Sequence, residues 1–498
     1  MSRLSDESAQ RAGLRPARPL RGVSDLRGLF RTNDTPIYFV SPVAFNLLGI
    51  DRWVKNFFFV NYFNSFDGRH PRVFVPTRVP HPSFGSIEDV CNYLLEHEEV
   101  LDFFASRRPG ALAVLVFFDE QSERLAAVAG PRIALPSAEL RRRLDSKLET
   151  TRLGDEAGVP SVPNVLGHAS SYEELLALAE GSGLGRDLVV QTAYGDSGKT
   201  TFFIRGERDF GAAAGELKGQ DVKVMRRIRP RAVAVEACIT RHGTLVGPVM
   251  VDLTGHPELT PYRGGWCGND IFPGVLSRSD RERAWQLTRR LGDRLAQEGY
   301  RGQLEVDYLL DRDTDELYLG ELNPRLSGIS SMTNVSASAY ADMPLFLFHL
   351  AEYMDLDYEI DVEECNQRWA AEHYQDHWSQ IILKEPEDVA ELLTAAPQTG
   401  IWRLGVDGRL VFSRYGNDWH SLDDEREGFY LRILGPGEYR YKGADLGILV
   451  TRARLQTDDD QLTDRAGQWI AALRGEFAAI PVEEPADLPR EALASKAG

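Results

Sequence analysis

Residues 303–328, QLEVDYLLDRDTDELYLGELNPRLSG, constrain this chain more than any other stretch. The run 306–310 is apolar and β-prone, 311–315 is a polar turn and 316–321 returns as a second strand, so the pattern predicts a hairpin. Successive side chains of a strand face opposite ways, so Glu321 and Asn323 share a face, while Asp307 sits in the first strand among apolar neighbours. Arg325 follows two residues later, and with Pro324 keeping the chain extended its guanidinium fork points the same way, toward a phosphate or carboxylate. Asp307, Glu321 and the Asn323 side-chain oxygen offer the hard ligands that Mg²⁺ takes together with substrate phosphates. Glu305, Asp311, Asp313, Asp315 and Glu316 are expected on a solvated face. Asp307 and Glu321 are flanked by Tyr308, Leu309, Leu319 and Leu322, where a carboxylate is costly unless paired or metal-bound.

A second signal lies upstream in residues 188–204, LVVQTAYGDSGKTTFFI. Gly195 and Gly198 admit positive φ and close backbone approach, so that amide groups can surround phosphate oxygens, and Lys199 adds a point charge. Residues 193–200 also satisfy the looser P-loop pattern through Gly198, Lys199 and Thr200. A P-loop opens a helix, whereas β-prone residues 201–204 follow here, which predicts a loop joining two strands.

GELNPR and this loop together resemble the ATP-grasp enzymes, with a biotin carboxylase-like architecture. The resemblance covers roughly residues 147–341. It implies ATP with Mg²⁺, or Mn²⁺ in its place, and assigns further positions. Glu236 in VAVEACI (233–239) would meet the adenine amino group, with residues 237–239, Cys238 and Ile239 among them, as hinge backbone. Lys147, on a helix leading into the Gly158-Val159-Pro160 turn, would bind phosphate or the adenine side. Two departures stand out. Most relatives carry lysine where this chain has Gln191, leaving phosphate neutralisation to Lys147 and Lys199. Many dipeptide-forming relatives carry arginine where this chain has Glu305, so oxyanion stabilisation falls on Arg325 as the catalytic residue.

The chain has 498 residues, 43% of them hydrophobic, with a net charge of −18. That is enough for about three domains and a large core. The charge argues against nucleic acid and anionic membrane as partners. The apolar run 111–118 is far short of a bilayer span, and with no secretion signal in the polar N-terminus a cytoplasmic location is expected. Four cysteines without a CxxC pair read as reduced thiols. The expected organisation is α/β and α+β: a flexible extension 1–31, an α/β domain with a mainly parallel sheet 32–140, the nucleotide-binding core 141–350, a small C-terminal α+β domain 351–482 and a tail 483–498. Asn61, Asn64, Asp67 and His70 crowd one loop of the N-terminal domain, as substrate contacts or as turn formers. In the loop 263–273, Arg263 is expected to pair with a substrate carboxylate. Cys267 lacks a nearby histidine as base and reads as a buried thiol. Ser327 and Gly328 complete the expected substrate contacts.

The resulting expectation is an ATP-dependent ligase that joins a small-molecule carboxylate to an amine, an amino acid or peptide, through an acyl phosphate, releasing ADP and phosphate; a homodimer is left open. The alternatives are a biotin carboxylase-type enzyme making carboxyphosphate and a nucleotide-binding regulator without turnover.

Overall fold

The computed structural model of the chain describes residues 19–78, 84–195, 200–272, 274–340, 342–370 and 377–482. Gly198, Lys199 and the tail 483–498 lie outside the described residues. Strands Ile37–Ser41, Phe57–Asn61, Val73–Phe74, Leu112–Leu115 and Arg132–Ile133 form a five-stranded sheet in which every pairing is parallel. The central strands are buried throughout, as continuous apolar runs in a parallel sheet covered by helices should be. The helices Ile87–Glu96 and Glu98–Ala105 follow one another, separated by His97, which adopts an extended conformation and whose ring caps the second.

The flexible extension expected through Arg31 is corrected. Leu20–Arg21 pairs in parallel with Tyr358–Glu359, and Gly22–Thr32 is a helix whose Val23, Leu26 and Phe30 enter the core. That i, i+3, i+7 spacing is one apolar helix face, obscured in sequence by the arginines around it.

A small antiparallel sheet joins Asn164–His168, Asp221–Arg226, Leu188–Thr192 and Thr201–Ile204 in that spatial order. It has its own apolar core, with Leu188, Val190, Val222 and Val224 packed against Leu175 and Phe210. The large sheet has ten strands. Its first half runs Leu317–Asn323, Gly302–Asp311, Pro230–Thr240, Gly243–Thr254, Trp266–Ile271, and its second half continues without a break into Trp378–Lys384, Asp445–Thr451, Glu427–Arg432, Gly400–Leu404 and Leu410–Arg414. The C-terminal α+β part therefore extends the same sheet. On one face of the large sheet, Val233, Val235 and Val306 pack against Ala284, Leu287, Leu291 and Leu295 of the helix Arg278–Gln297.

The N-terminal domain is held against this sheet by polar contacts. Asn46 Nδ2 donates to Ser327 O (2.7 Å), Arg52 Nη2 to Asp418 Oδ1 (3.1 Å) and Arg432 Nη2 to Asn64 O (3.1 Å). Asn61 bonds Ser41, Asn64 accepts from the Gly68 amide and Asp67 pairs with Arg432, so these loop residues serve the turn and the interface. No helix among the described residues is long and apolar enough to cross a membrane.

Candidate active site

Two strand pairings gather the acids. Asp307 lies across from Glu321 and Glu305 across from Asn323; on the other side Glu305 faces Glu236 and Asp307 faces Ala234. Alternation then places Glu236, Glu305, Asp307, Glu321 and Asn323 on one face of the large sheet. A register shift between Asp307 and Tyr308 bulges the hairpin opposite Gly320, where an added Cβ would press on Asp307 O at 3.1 Å. Bulges beside a site re-aim side chains.

Asn323 Nδ2 donates to Glu305 Oε2 and to Asp307 Oδ2, both at 3.1 Å, and its Oδ1 accepts from Arg325 Nη2 at 3.0 Å. Arg325 is buried, with its guanidinium 4.1 Å from the centre of the Phe117 ring at the end of an N-terminal strand. Lys147 opens the helix Lys147–Ala157, whose Ser146 cap and left-handed Gly158 fix its two ends. Its ammonium donates to Glu321 Oε1 (2.8 Å) and to Gly195 O (2.7 Å), joining the acidic hairpin to the glycine loop. A polar chain continues sideways: Asn269 Nδ2 donates to Asp252 Oδ1 (2.6 Å), and Gln380 Nε2 to Asn269 Oδ1 (2.8 Å) and Gly328 O (2.9 Å).

Burial raises the carboxyl pKa of Asp307 and Asp252 well above the ordinary range, and the charge of Glu305 adds to both; Glu305 is itself raised by burial. Such crowding of hard oxygens in a dry place is what a divalent cation relieves. Among the described residues no three acid, histidine or cysteine side chains form a cage. The donor set therefore fits Mg²⁺ held by the cross-strand carboxylates Asp307 and Glu321 with phosphates completing the shell. Asn323 turns its amide nitrogen to the acids and its oxygen to Arg325, so joining them would require an amide flip that gives up the Arg325 bond.

Strands Leu188–Thr192 and Thr201–Ile204 pair antiparallel, with Gln191 opposite Thr201, so the glycine loop is a hairpin loop and the P-loop alternative is excluded. Gly195 has φ +143°, and a Cβ there would collide with the Thr200 side chain, so the described ends of the loop demand glycine. Gln191 Nε2 donates to Thr201 Oγ1 (3.0 Å).

Three expected nucleotide contacts are displaced. Glu236 is wholly buried in the middle of Pro230–Thr240, its Oε1 bonded to Ser330 Oγ, and Cys238 and Ile239 are ladder residues of that strand. Burial lifts the Glu236 carboxyl to about 7. None of the three lies at a hinge. The chain passes from the small sheet to the large one at residues 227–229, between Asp221–Arg226 and Pro230–Thr240. An apolar run such as VAVEACI reads alike as a strand end and as a strand middle, which is why the crossing was misplaced. Arg263 is exposed, its guanidinium 5.6 Å from the ring of Phe203, which leaves the small sheet on the same face as Gln191 and Lys223. Ser327 and Gly328 are interface residues: the Ser327 carbonyl receives Asn46, and a Cβ on Gly328 would strike the Trp266 ring. Cys267 is buried, with its thiol pushed up to about 12 by burial.

Three residues of the site escaped sequence reasoning. Glu305 is 6% exposed and faces the site, contrary to its expected solvated face. Phe117 supplies the platform under Arg325. Lys223, 1% exposed, is the register partner of Gln191 on the neighbouring strand of the small sheet. A lysine alternating with Val222 and Val224 was a visible signal, but it reads as a solvent-facing position.

No protein-family model matches the chain. It is 25% identical over 239 residues to the mitochondrial α subunit of methylcrotonoyl-CoA carboxylase from Arabidopsis thaliana, covering 45% of this chain and 31% of the relative, so the match spans about a third of that relative's length. Among solved structures, biotin carboxylase from Campylobacter jejuni in complex with β,γ-ATP aligns with TM-score 0.59 and 13% identity over 91% of this chain and 93% of the other. The biotin carboxylase domain dimer of Hydrogenobacter thermophilus 2-oxoglutarate carboxylase, with MgADP, ADP and bicarbonate, gives 0.57 and 12% over 90% and 91%. N5-carboxyaminoimidazole synthase from Aspergillus clavatus, with ADP and 5-aminoimidazole ribonucleotide, gives 0.54 and 12% over 89% and 99%. The chain has the ATP-grasp fold of these proteins.

Proposed function

We propose that this chain is an ATP-dependent ligase that activates a carboxylate as its acyl phosphate and transfers the acyl group to an amine, releasing ADP and phosphate. The observation that carries the reading is the convergence of Asp307, Glu321, Asn323 and Arg325 on one sheet face, with Lys147 tying Glu321 to the glycine loop.

Carboxylate is a poor electrophile, so one of its oxygens must first take the γ-phosphoryl group. Mg²⁺, when bound, neutralises the β- and γ-phosphates. Asp307, Glu321 and Asn323 would hold it. Lys147 would exchange its bonds to Glu321 and Gly195 for phosphate oxygens, and the loop amides would hold the phosphates in line. Arg325, stacked on Phe117, would be pre-organised to receive the oxyanion that develops as the amine attacks and phosphate departs. Packing of the N-terminal domain over Arg325 would keep water from the acyl phosphate.

The second reading, a biotin carboxylase-type reaction through carboxyphosphate, is favoured by the biotin carboxylases among the fold neighbours. ATP consumption measured with pooled amino acids, against biotin plus bicarbonate, separates the two. Carboxylate-borne ¹⁸O should appear in the released phosphate with ADP as co-product. AMP and pyrophosphate, or turnover only with biotin and bicarbonate, would overturn the ligase reading.

A further inference from the structure

The small sheet places a buried lysine where the nucleotide site lacks one. Lys223 stands in the strand Asp221–Arg226, directly across the ladder from Gln191 on Leu188–Thr192, so both side chains leave the same face. Val222 and Val224 point the other way, into the small sheet's core. Lys223 is 1% exposed, and its ammonium has neither a hydrogen bond nor an ion pair to another described residue. A buried ammonium without a partner is among the costlier groups a fold can hold, and such groups persist where a ligand supplies the missing charge. Its electrostatic neighbours locate it. The carboxylates of Asp155 and Glu321 favour its charge and the Lys147 ammonium opposes it, so its head lies on the side where Lys147 bridges Glu321 to the glycine loop. Two ammonium groups close enough to feel each other's charge, one of them bonded to Gly195 of the glycine loop, suit a polyanion.

We propose that Lys223 is a nucleotide-binding residue of this chain, its ammonium pairing with a phosphate of ATP and supplying from the adjacent strand the positive charge that Gln191 does not. The inference rests on the nucleotide reading of the site and adds to it a specific residue and a specific charge. Moving the lysine across one ladder rung shifts its Cα by one interstrand spacing, about 5 Å, which a four-carbon side chain spans. Gln191, bonded to Thr201 Oγ1, becomes a neutral strut of the loop's base.

Calorimetric titration of the full chain with MgADP and, separately, with adenosine tests this without relying on turnover. A charge-assisted contact to phosphate is worth roughly tenfold to a hundredfold in affinity. Lys223→Met, which keeps the length of the side chain and removes its charge, should weaken MgADP by that factor and leave adenosine unchanged. Its melting temperature should hold or rise, since a buried charge has been removed. The double variant Gln191→Lys with Lys223→Met should recover most of the MgADP affinity. Equal MgADP affinity in wild type and Lys223→Met overturns the proposal. So does equal loss of adenosine and MgADP, or a double variant no better than the single, because either marks Lys223 as a packing residue. Wild type that binds no MgADP at all would overturn the nucleotide reading itself, a failure distinct from these.

Discussion

The large and small sheets present opposite charge to the space between them. From the large sheet come Glu236, Asp252, Glu305, Asp307 and Glu321; from the small sheet comes Lys223, with Lys147 on the helix beside it. They also differ in how they are held. The strand Pro230–Thr240 of the large sheet is packed on both faces, Val233 and Val235 into one core and Ala234 and Cys238 into another. The small sheet has a separate core, and its contacts with the large one include residues 227–229, the two bonds of Lys147 and the stacking of Arg263 on Phe203. Acids fixed in a rigid, doubly packed sheet are suited to hold metal and reacting atoms in register. Bases on a separately folded sheet are suited to close on phosphates when they arrive. Substitutions in the large sheet should therefore act on kcat, and those in the small sheet on KM for ATP.

The largest effect should come from Glu321→Gln. It removes one of two carboxylates available to a divalent cation and the negative charge that pairs with Lys147, leaving a neutral amide oxygen in its place. Turnover should fall about a thousandfold or more, given the several kcal/mol that such ions contribute to phosphoryl transfer. The melting temperature should stay near wild type. Turnover intact with an unchanged fold would remove the acids of the large sheet from the chemistry.

Arg325→Lys should cost about a hundredfold in kcat, the scale of losing an oriented oxyanion donor. A lysine keeps the charge but loses the planar fork that both stacks on Phe117 and bonds Asn323. KM for ATP should move little. A rise in KM without a fall in kcat would transfer Arg325 to nucleotide binding and blur the division between the sheets.

That division also explains what could be read in advance. Glu321 and Asn323 are spaced by two along one strand, so alternation alone aligns them, and Asp307 is one hairpin away; Arg325 follows past the strand's end, where its amide turns back to the Asn323 carbonyl. The parallel N-terminal sheet was legible because its strands are continuous apolar runs, and the hairpin nature of the glycine loop because β-prone residues follow it. Lys223 and Gln191 come together only through the ladder between Asp221–Arg226 and Leu188–Thr192, a register no local pattern encodes. Glu305 reads as solvated as part of an acid-rich hairpin, yet its strand is paired on both sides and its side chain bonds Asn323. Glu236 was misplaced for the reverse reason, an acid assigned to a strand's end when the strand runs on past it to Thr240.

Gly195→Ala sharpens the comparison from the small sheet's side. At φ +143° a side chain is strained, and its Cβ would collide with Thr200, so the loop base must open. The Gly195 carbonyl would then leave Lys147, which keeps its bond to Glu321. KM for ATP should rise about tenfold, the scale of one or two lost hydrogen bonds, with kcat nearly unchanged. Steady-state kinetics over a range of ATP concentrations measures both. A fall in kcat as large as the rise in KM would show that the two sheets act as one unit.

The smallest effect concerns Glu236, which lies on the acidic face without being assigned a part in the reaction. Its folded carboxyl titrates at about 7 because burial disfavours the charge, against 4.5 for the ordinary group. The folded state therefore binds the proton more tightly than the unfolded state does. Between those values the native protein carries more protons than the unfolded chain, so stability must fall as pH rises, and this contribution is fully present only below about 4.5. Glu236→Gln replaces the ionisable group with a neutral amide that can still meet Ser330. Chemical denaturation at a series of pH values should show the variant flatter than wild type across that window and more stable above it, by at most a few kcal/mol, since one pKa unit corresponds to about 1.4 kcal/mol. Turnover at neutral pH should change less than twofold. A variant whose stability follows wild type at every pH would mean that Glu236 stays ionised in the fold, paired to a cation on the acidic face, and would bring it into the site after all.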